Sequence, residues 1–217
     1  MSRPALAAVC CTLLLAGCGS GNISSTWGPY FEVVKKSFEG SFGDKAVSLE
    51  QASEIEYASL GYRLNGGPEN LVVLATDSNG EQLWTSAAHK VLITEAGRVK
   101  RTVGLPRDLA HLAPASGSIL PSAAANASIA LSADFPDMGI YSAAITCRAT
   151  NAGPDAIIIL GHAIATTRLD EDCSSPQLGW RFRNSYWLDA DKFVWRSVQH
   201  IHPKGDVLQV EIFRPPG

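Results

Sequence analysis

Residues 71–103 read LVVLATDSNGEQLWTSAAHKVLITEAGRVKRTV, and this stretch decides the fold. Leu71 to Thr76 is a short apolar, β-rich run. Asp77-Ser78-Asn79-Gly80 follows, and Asn-Gly supplies the positive φ that tight hairpins need. Gln82 to Ser86 returns, and Lys90 to Thr94 runs out again. Glu95-Ala96-Gly97-Arg98 is another turn, after which Val99 to Val103 alternates. The pattern predicts a meander of short antiparallel strands. Such strands need three or more partners and a covered face to be stable.

The period extends in both directions. Upstream, Ile55, Tyr57, Ser59, Gly61 and Arg63 suggest an extended segment that ends at Asn65-Gly66-Gly67-Pro68. Downstream, Arg107 to Leu112 reads as a single helical turn, and Ala113 to Ala127 as a surface connection rich in Ala, Ser, Gly and Pro. A second β series covers Ser128 to Leu131, Tyr141 to Ala149, Ala156 to Arg168 and Trp180 to Leu188. Phe193 to His202 and Val207 to Arg214 complete it. Periodicity alone allows Ile157 to Leu160 to be a buried helix segment, but its β-branching argues for strand. The expected fold is all-β, an antiparallel meander forming a barrel-like or sandwich domain, with one short N-terminal amphipathic helix. That helix is read from Tyr30, Phe31, Val34 and Phe38 within Trp27 to Phe42, with Pro29 near its first turn.

The N-terminus carries a different signal. Arg3 gives a short positive region, and Ala5 to Ala16 (ALAAVCCTLLLA) is apolar. The stretch is too short to cross a bilayer of about 30 Å as a helix, but suits a secretion signal. It ends in Leu15-Ala16-Gly17-Cys18, which resembles a lipobox. Residues 1–17 are therefore expected to be a signal peptide. Cys18 is the expected lipidation site, and residues 18–26 a small, polar tether. Residues 27–217 form one expected β domain. Two or more acyl chains hold stably to a membrane, so the anchor fixes the protein to one leaflet. Gly19, where Asp would favour the inner membrane, points to the outer membrane by the enteric sorting rule.

The formal net charge is −3, and no Lys/Arg cluster marks a nucleic-acid surface. Of five cysteines, Cys10 and Cys11 leave with the signal and Cys18 is the anchor. Cys147 and Cys173 remain in an oxidising compartment and are expected to pair. A loop of that length is worth roughly 3–4 kcal/mol in the chain-entropy model. No CxxC motif or third ligand sits nearby, so neither a metal nor any other cofactor is expected.

Several stretches resemble the YjbF/GfcB lipoproteins, associated with exopolysaccharide and group 4 capsule operons. They are Glu56-Tyr57-Ala58-Ser59-Leu60, Trp84, Gly97-Arg98-Val99, and Thr102-Val103-Gly104-Leu105-Pro106. Cys147 and Cys173 fit, as do Phe182-Arg183-Asn184-Ser185-Tyr186-Trp187-Leu188-Asp189, Val194-Trp195-Arg196-Ser197-Val198-Gln199 and Pro203. The family usually turns between the last two motifs with a Thr-Gly-type dipeptide. Ala190-Asp191-Lys192 takes that place here. The resemblance implies a β-rich, barrel-like domain and carries over no catalytic residue.

The densest chemistry is Trp180, Arg181, Phe182, Arg183, Asn184, Tyr186 and Trp187, with Trp195 and Arg196 beyond the turn. Aromatic faces stack on sugars, and Arg bonds hydroxyls or acidic groups. Alternation puts Phe182, Asn184 and Tyr186 on one strand face and Arg181, Arg183, Ser185 and Trp187 on the other, so one face at most can bind. The competing reading is core aromatics with Arg stems over them. His200 and His202 share a strand face with Glu211 one strand away, but read better as surface or hydrogen-bonded histidines than as ligands. His162 reads as a core histidine and Asp170-Glu171-Asp172 as an acidic loop. No Gly-x-Ser-x-Gly, P-loop or HExxH motif occurs.

The expected function is a non-enzymatic accessory lipoprotein for exopolysaccharide or capsule production. Its expected partners are the membrane, through the lipid, and polysaccharide or outer-membrane export proteins, with no nucleic acid. The alternatives are an assembly partner of an outer-membrane β-barrel without glycan contact, or a polysaccharide-modifying enzyme.

Overall fold

A computed structural model describes residues 54–117, 119 and 127–217. The expected N-terminal helix and Cys18 lie outside the described residues. The first half of the chain gives β1 (Ser59–Leu64), β2 (Asn70–Ser78), β3 (Glu81–Thr85), β4 (Val91–Glu95), β5 (Arg98–Val103) and β6 (His111–Pro114). The second gives β7 (Ser128–Phe135), β8 (Ile140–Pro154), β9 (Ile157–Ile159), β10 (His162–Ile164) and β11 (Thr167–Ser175), then β12 (Trp180–Leu188), β13 (Val194–His202) and β14 (Asp206–Arg214).

Twelve strands form one antiparallel sheet in the order β5-β4-β3-β2-β1-β14-β13-β12-β11-β8-β7-β6. The first and last of these strands are neighbours, because β1 pairs with β14 from Ser59↔Arg214 to Leu64↔Leu208. The sheet curls into a nearly closed barrel. Its two edge strands are bridged by the segment between them, where the Thr102 amide donates to the Leu109 carbonyl at 2.9 Å.

Alternation explains which residues face inward. In β8, Ala143, Ile145, Cys147 and Ala149 are buried, whereas Ala144, Thr146 and Arg148 are exposed. Leu60, Val72, Trp84, Leu92 and Leu208 are fully buried in the same core. The hairpin at Asn79-Gly80 forms as expected, with positive φ at both residues.

Five expectations are corrected. Arg107 to Leu112 forms no helical turn. The Asp108 carboxylate accepts from the Thr102 hydroxyl at 2.8 Å and from the amides of Gly104 and Leu105 at 2.9 and 3.1 Å, which fixes a loop instead. The chain then enters β6, so the connection expected from Ala113 begins inside a strand. Ala156 to Arg168 is not one strand. Leu160 and Gly161, both at positive φ, fold it into the separate β9–β10 hairpin, where His162 is exposed. Asp170-Glu171-Asp172 is no loop but the middle of β11, paired on both sides.

Candidate functional site

The predicted aromatic and arginine constellation is divided among three environments. Trp180 faces the interior, stacked on Phe182 with ring centroids 3.9 Å apart and edge-on to Phe135 at 6.0 Å. It is a core residue and is not available for surface contact. Arg181 and Arg183 point outward. Arg183 donates to both oxygens of Asp172 at 2.7 and 3.0 Å, which holds the Asp172 carboxyl below its usual range.

Trp187 and Arg196 hold the β9–β10 hairpin against the barrel. The Trp187 indole donates to Asp155 at 2.9 Å, and Arg196 donates to the Ile158 carbonyl at 2.9 Å. Arg196 also lies over the Trp187 ring at 5.9 Å and donates to Glu211 at 2.8 Å. Glu211 is thus an arginine partner, and it does not join the histidines. His202 is fully buried, with Nε2 3.0 Å from Asp137 and its ring edge-on to Phe135. His200 lies beside Phe182, and burial lowers its pKa.

Trp195 belongs to a cleft at the barrel end where β1 begins and β14 finishes. The cleft has a volume of about 260 Å³ and lies between the β4–β5 turn and the β12–β13 turn. Phe193 and Trp195 form its aromatic corner, edge to face with centroids 5.1 Å apart. Gln82, Thr94 and Ser197 supply inner polar groups, and Asp191 and Lys192 stand at the rim. The two turns meet closely, since a Cβ on Gly97 would lie 2.4 Å from Val194 Cβ.

Asp189 builds the rim. Its carboxylate accepts from the amides of Asp191 and Phe193 at 2.9 and 3.0 Å and from the Trp195 indole at 2.8 Å. Lys192 sits at φ +69°, the left-handed position that glycine favours. The side-chain bonds of Asp189 support that turn without a glycine. The indole is likewise held in one orientation.

Below the cleft, Gln199 ties β13 to β5. It donates to the Gly97 carbonyl at 2.8 Å and accepts from the Val99 amide at 3.0 Å. Arg98 crosses the interior to Glu171, near the disulfide that joins Cys147 to Cys173 at directly paired positions of β8 and β11. Cys147, Glu171 and Cys173 lie close together, but the bonded sulfurs leave no thiolate to hold a metal. Burial raises the Tyr186 phenol well above its usual range, and the Arg98 cation beneath it offsets this only in part.

Sequence reasoning missed Gln82, Asp191, Lys192, Gln199 and the Arg98–Glu171 pair. The available signal for the rim was Ala190-Asp191-Lys192 in place of a glycine turn beside two aromatics.

The comparisons agree on one group. Residues 33–213 match the family described as "Group 4 capsule polysaccharide lipoprotein gfcB, YjbF". The uncharacterized lipoprotein YjbF of Escherichia coli K12 is 27% identical over 207 residues, covering 93% of this chain and 92% of that protein. The lipoprotein GfcB of the same organism is 24% identical over 173 residues, covering 78% and 80%. The crystal structure of the hypothetical lipoprotein YmcC of Escherichia coli K12 shares the fold, with a TM-score of 0.67 and 22% identity across 80% of this chain and 92% of that one. By its match from residue 33 to residue 213, the chain belongs to the YjbF family of group 4 capsule polysaccharide lipoproteins.

Proposed function

We propose that the protein is a non-enzymatic accessory factor in exopolysaccharide or capsule production. In this reading, lipid on Cys18 holds it to the periplasmic face of the outer membrane. The observation that carries the reading is family membership across nearly all of the domain. The lipobox-like Leu15-Ala16-Gly17-Cys18 and the following Gly19 support the anchor and its membrane.

The carboxylates around the aromatic strands support a binding role over catalysis. Asp155 accepts from Trp187, Asp170 from Ser185, Asp172 from Arg183, and Glu211 from Arg196. Asp189 is engaged by the turn. Each of these groups is committed to holding strands or turns in place. The mature chain then works within reach of its tether, where nascent polysaccharide passes on its way to the surface.

The test is a deletion strain assayed for surface polysaccharide. Loss is expected, with recovery by the wild-type gene and not by Cys18→Ala. Unchanged polysaccharide in the deletion strain would overturn the reading.

A second reading, assembly with an outer-membrane β-barrel protein, is favoured by one observation. The β9–β10 hairpin stands outside the barrel with Ile158 66% exposed. Co-purification of such a barrel with the lipoprotein, lost in Ile158→Asp, would support it. Retention of the barrel by that variant would count against it.

A further inference from the structure

We propose that the cleft between the β4–β5 and β12–β13 turns binds one neutral pyranose unit of a polysaccharide chain. The proposal deepens the accessory role above and rests on it for the source of the sugar.

Size is the first argument. The cleft holds about 260 Å³, below the roughly 300–1,000 Å³ of pockets that take drug-sized ligands. One sugar ring is the matching scale. The mouth of a β-barrel is also a recurrent place for such sites.

Chemistry is the second. Phe193 and Trp195 meet edge to face, so the corner offers an apolar ring face to the C–H side of a pyranose. The Trp195 indole is already fixed by Asp189, so little rotamer freedom remains to be lost on binding. Gln82 and Ser197 face the same space from the other walls. Among the described residues, the side chains of Asp191 and Lys192 have no hydrogen-bond or ion-pair partner. One is an acceptor and the other a donor, adjacent on one turn, which suits neighbouring hydroxyls.

Charge is the third. Arg196 lines the cleft, but its guanidinium is bonded to Glu211, which offsets its charge, and to the Ile158 carbonyl. The remaining ionised lining groups, Asp191 and Lys192, cancel. With the Asp189 carboxylate also at the rim, the site has no net positive charge and gives an acidic sugar no Coulombic advantage, so the neutral unit is favoured.

Calorimetry on the full lipoprotein in detergent micelles tests this. The probe is short neutral oligosaccharide fragments cut from the producing cell's own surface polysaccharide. Fragments bind the wild type, and the rim double variant Asp191→Ala/Lys192→Ala weakens binding by about tenfold or more. Both rim residues are exposed, so the double variant retains the fold. Trp195→Phe keeps an aromatic face and weakens binding less. Arg183→Ala, on the outer surface, leaves it unchanged.

Absent binding, or equal binding by the rim variant, would overturn the site. Binding that collapses in high salt would overturn the neutral assignment. A deletion strain with normal polysaccharide would overturn the accessory role while leaving the cleft measurement intact. Lost binding alongside a strong deletion phenotype would overturn only the cleft.

Discussion

Arg98 and Glu171 meet inside the barrel, each only 1% exposed, with one guanidinium nitrogen 2.7 and 2.9 Å from the two carboxylate oxygens. They lie on opposite sides of the interior, β5 and β11, and Arg98 also donates to the Ile119 carbonyl at 2.8 Å. Removing one partner strands a buried charge. Arg98→Met or Glu171→Gln is expected to cost about 3–5 kcal/mol in urea unfolding. The double variant Arg98→Met/Glu171→Leu should recover most of that loss, since a packed apolar pair carries no desolvation cost. A double variant as unstable as the singles would show that the pair stabilises beyond mutual neutralisation.

The disulfide offers a second measurement. Cys147 and Cys173 are separated by 26 residues in sequence and lie on neighbouring strands. Replacing both by Ala leaves the strand pairing intact but frees the unfolded chain. The expected loss is about 3–4 kcal/mol in the chain-entropy model. Equal urea midpoints for the wild type and the double variant would contradict it.

Acid sensitivity should centre on Asp206. It accepts from Arg107 at 2.8 Å and from Asn65 at 2.9 Å, and the Arg107 bond leads in holding its carboxyl below the usual range. The folded state therefore favours the ionised form. That stabilisation is complete above the unfolded value of about 3.9 and is lost as pH falls through the lower folded value. Asp206→Asn should be less stable than wild type at neutral pH, with the gap closing under stronger acid. A gap that stays constant with pH would assign the effect to shape instead.

The β9–β10 hairpin depends on two side chains. Trp187 bonds Asp155, which leads into it, and Arg196 bonds its Ile158 carbonyl. Arg196→Met removes one bond and leaves Glu211 without its cation. Hydrogen exchange across residues 157–164 should speed up, by an amount matching about 1–2 kcal/mol of local stability. Exchange rates unchanged from wild type would mean that Ile157 and Ile159, both buried, hold the hairpin alone.

The sequence showed the strands where their period was clean. The 71–103 meander survives almost intact, because Asn79-Gly80 and Ala96-Gly97 set the turns locally. It misled where a tertiary partner decided the outcome. Asp170-Glu171-Asp172 looks solvated, yet the burial of Glu171 depends on an arginine 73 residues away. Arg107 to Leu112 looks helical until the Asp108 carboxylate claims the preceding amides. The cleft was the least legible part. Its two walls come from turns about a hundred residues apart in the chain, and only barrel closure brings Gly97 against Val194.

Two short 3₁₀ turns were legible and overlooked. Pro136-Asp137-Met138-Gly139 and Pro176-Gln177-Leu178-Gly179 each begin with a proline and end on a left-handed glycine. They reverse the chain before β8 and before β12 at the same barrel end.

The pairing of β1 with β14 also dictates an order of events. Synthesis from the N-terminus delivers Ser59–Leu64 early and Asp206–Arg214 last. The seam therefore cannot close until the chain is nearly complete, and such long-range pairing is intrinsically slow. Until then the edges of β1 and β13 are open to other strands. A chain cut short before β14 leaves β1 and β13 without the strand that joins them, so the sheet falls into two separate parts.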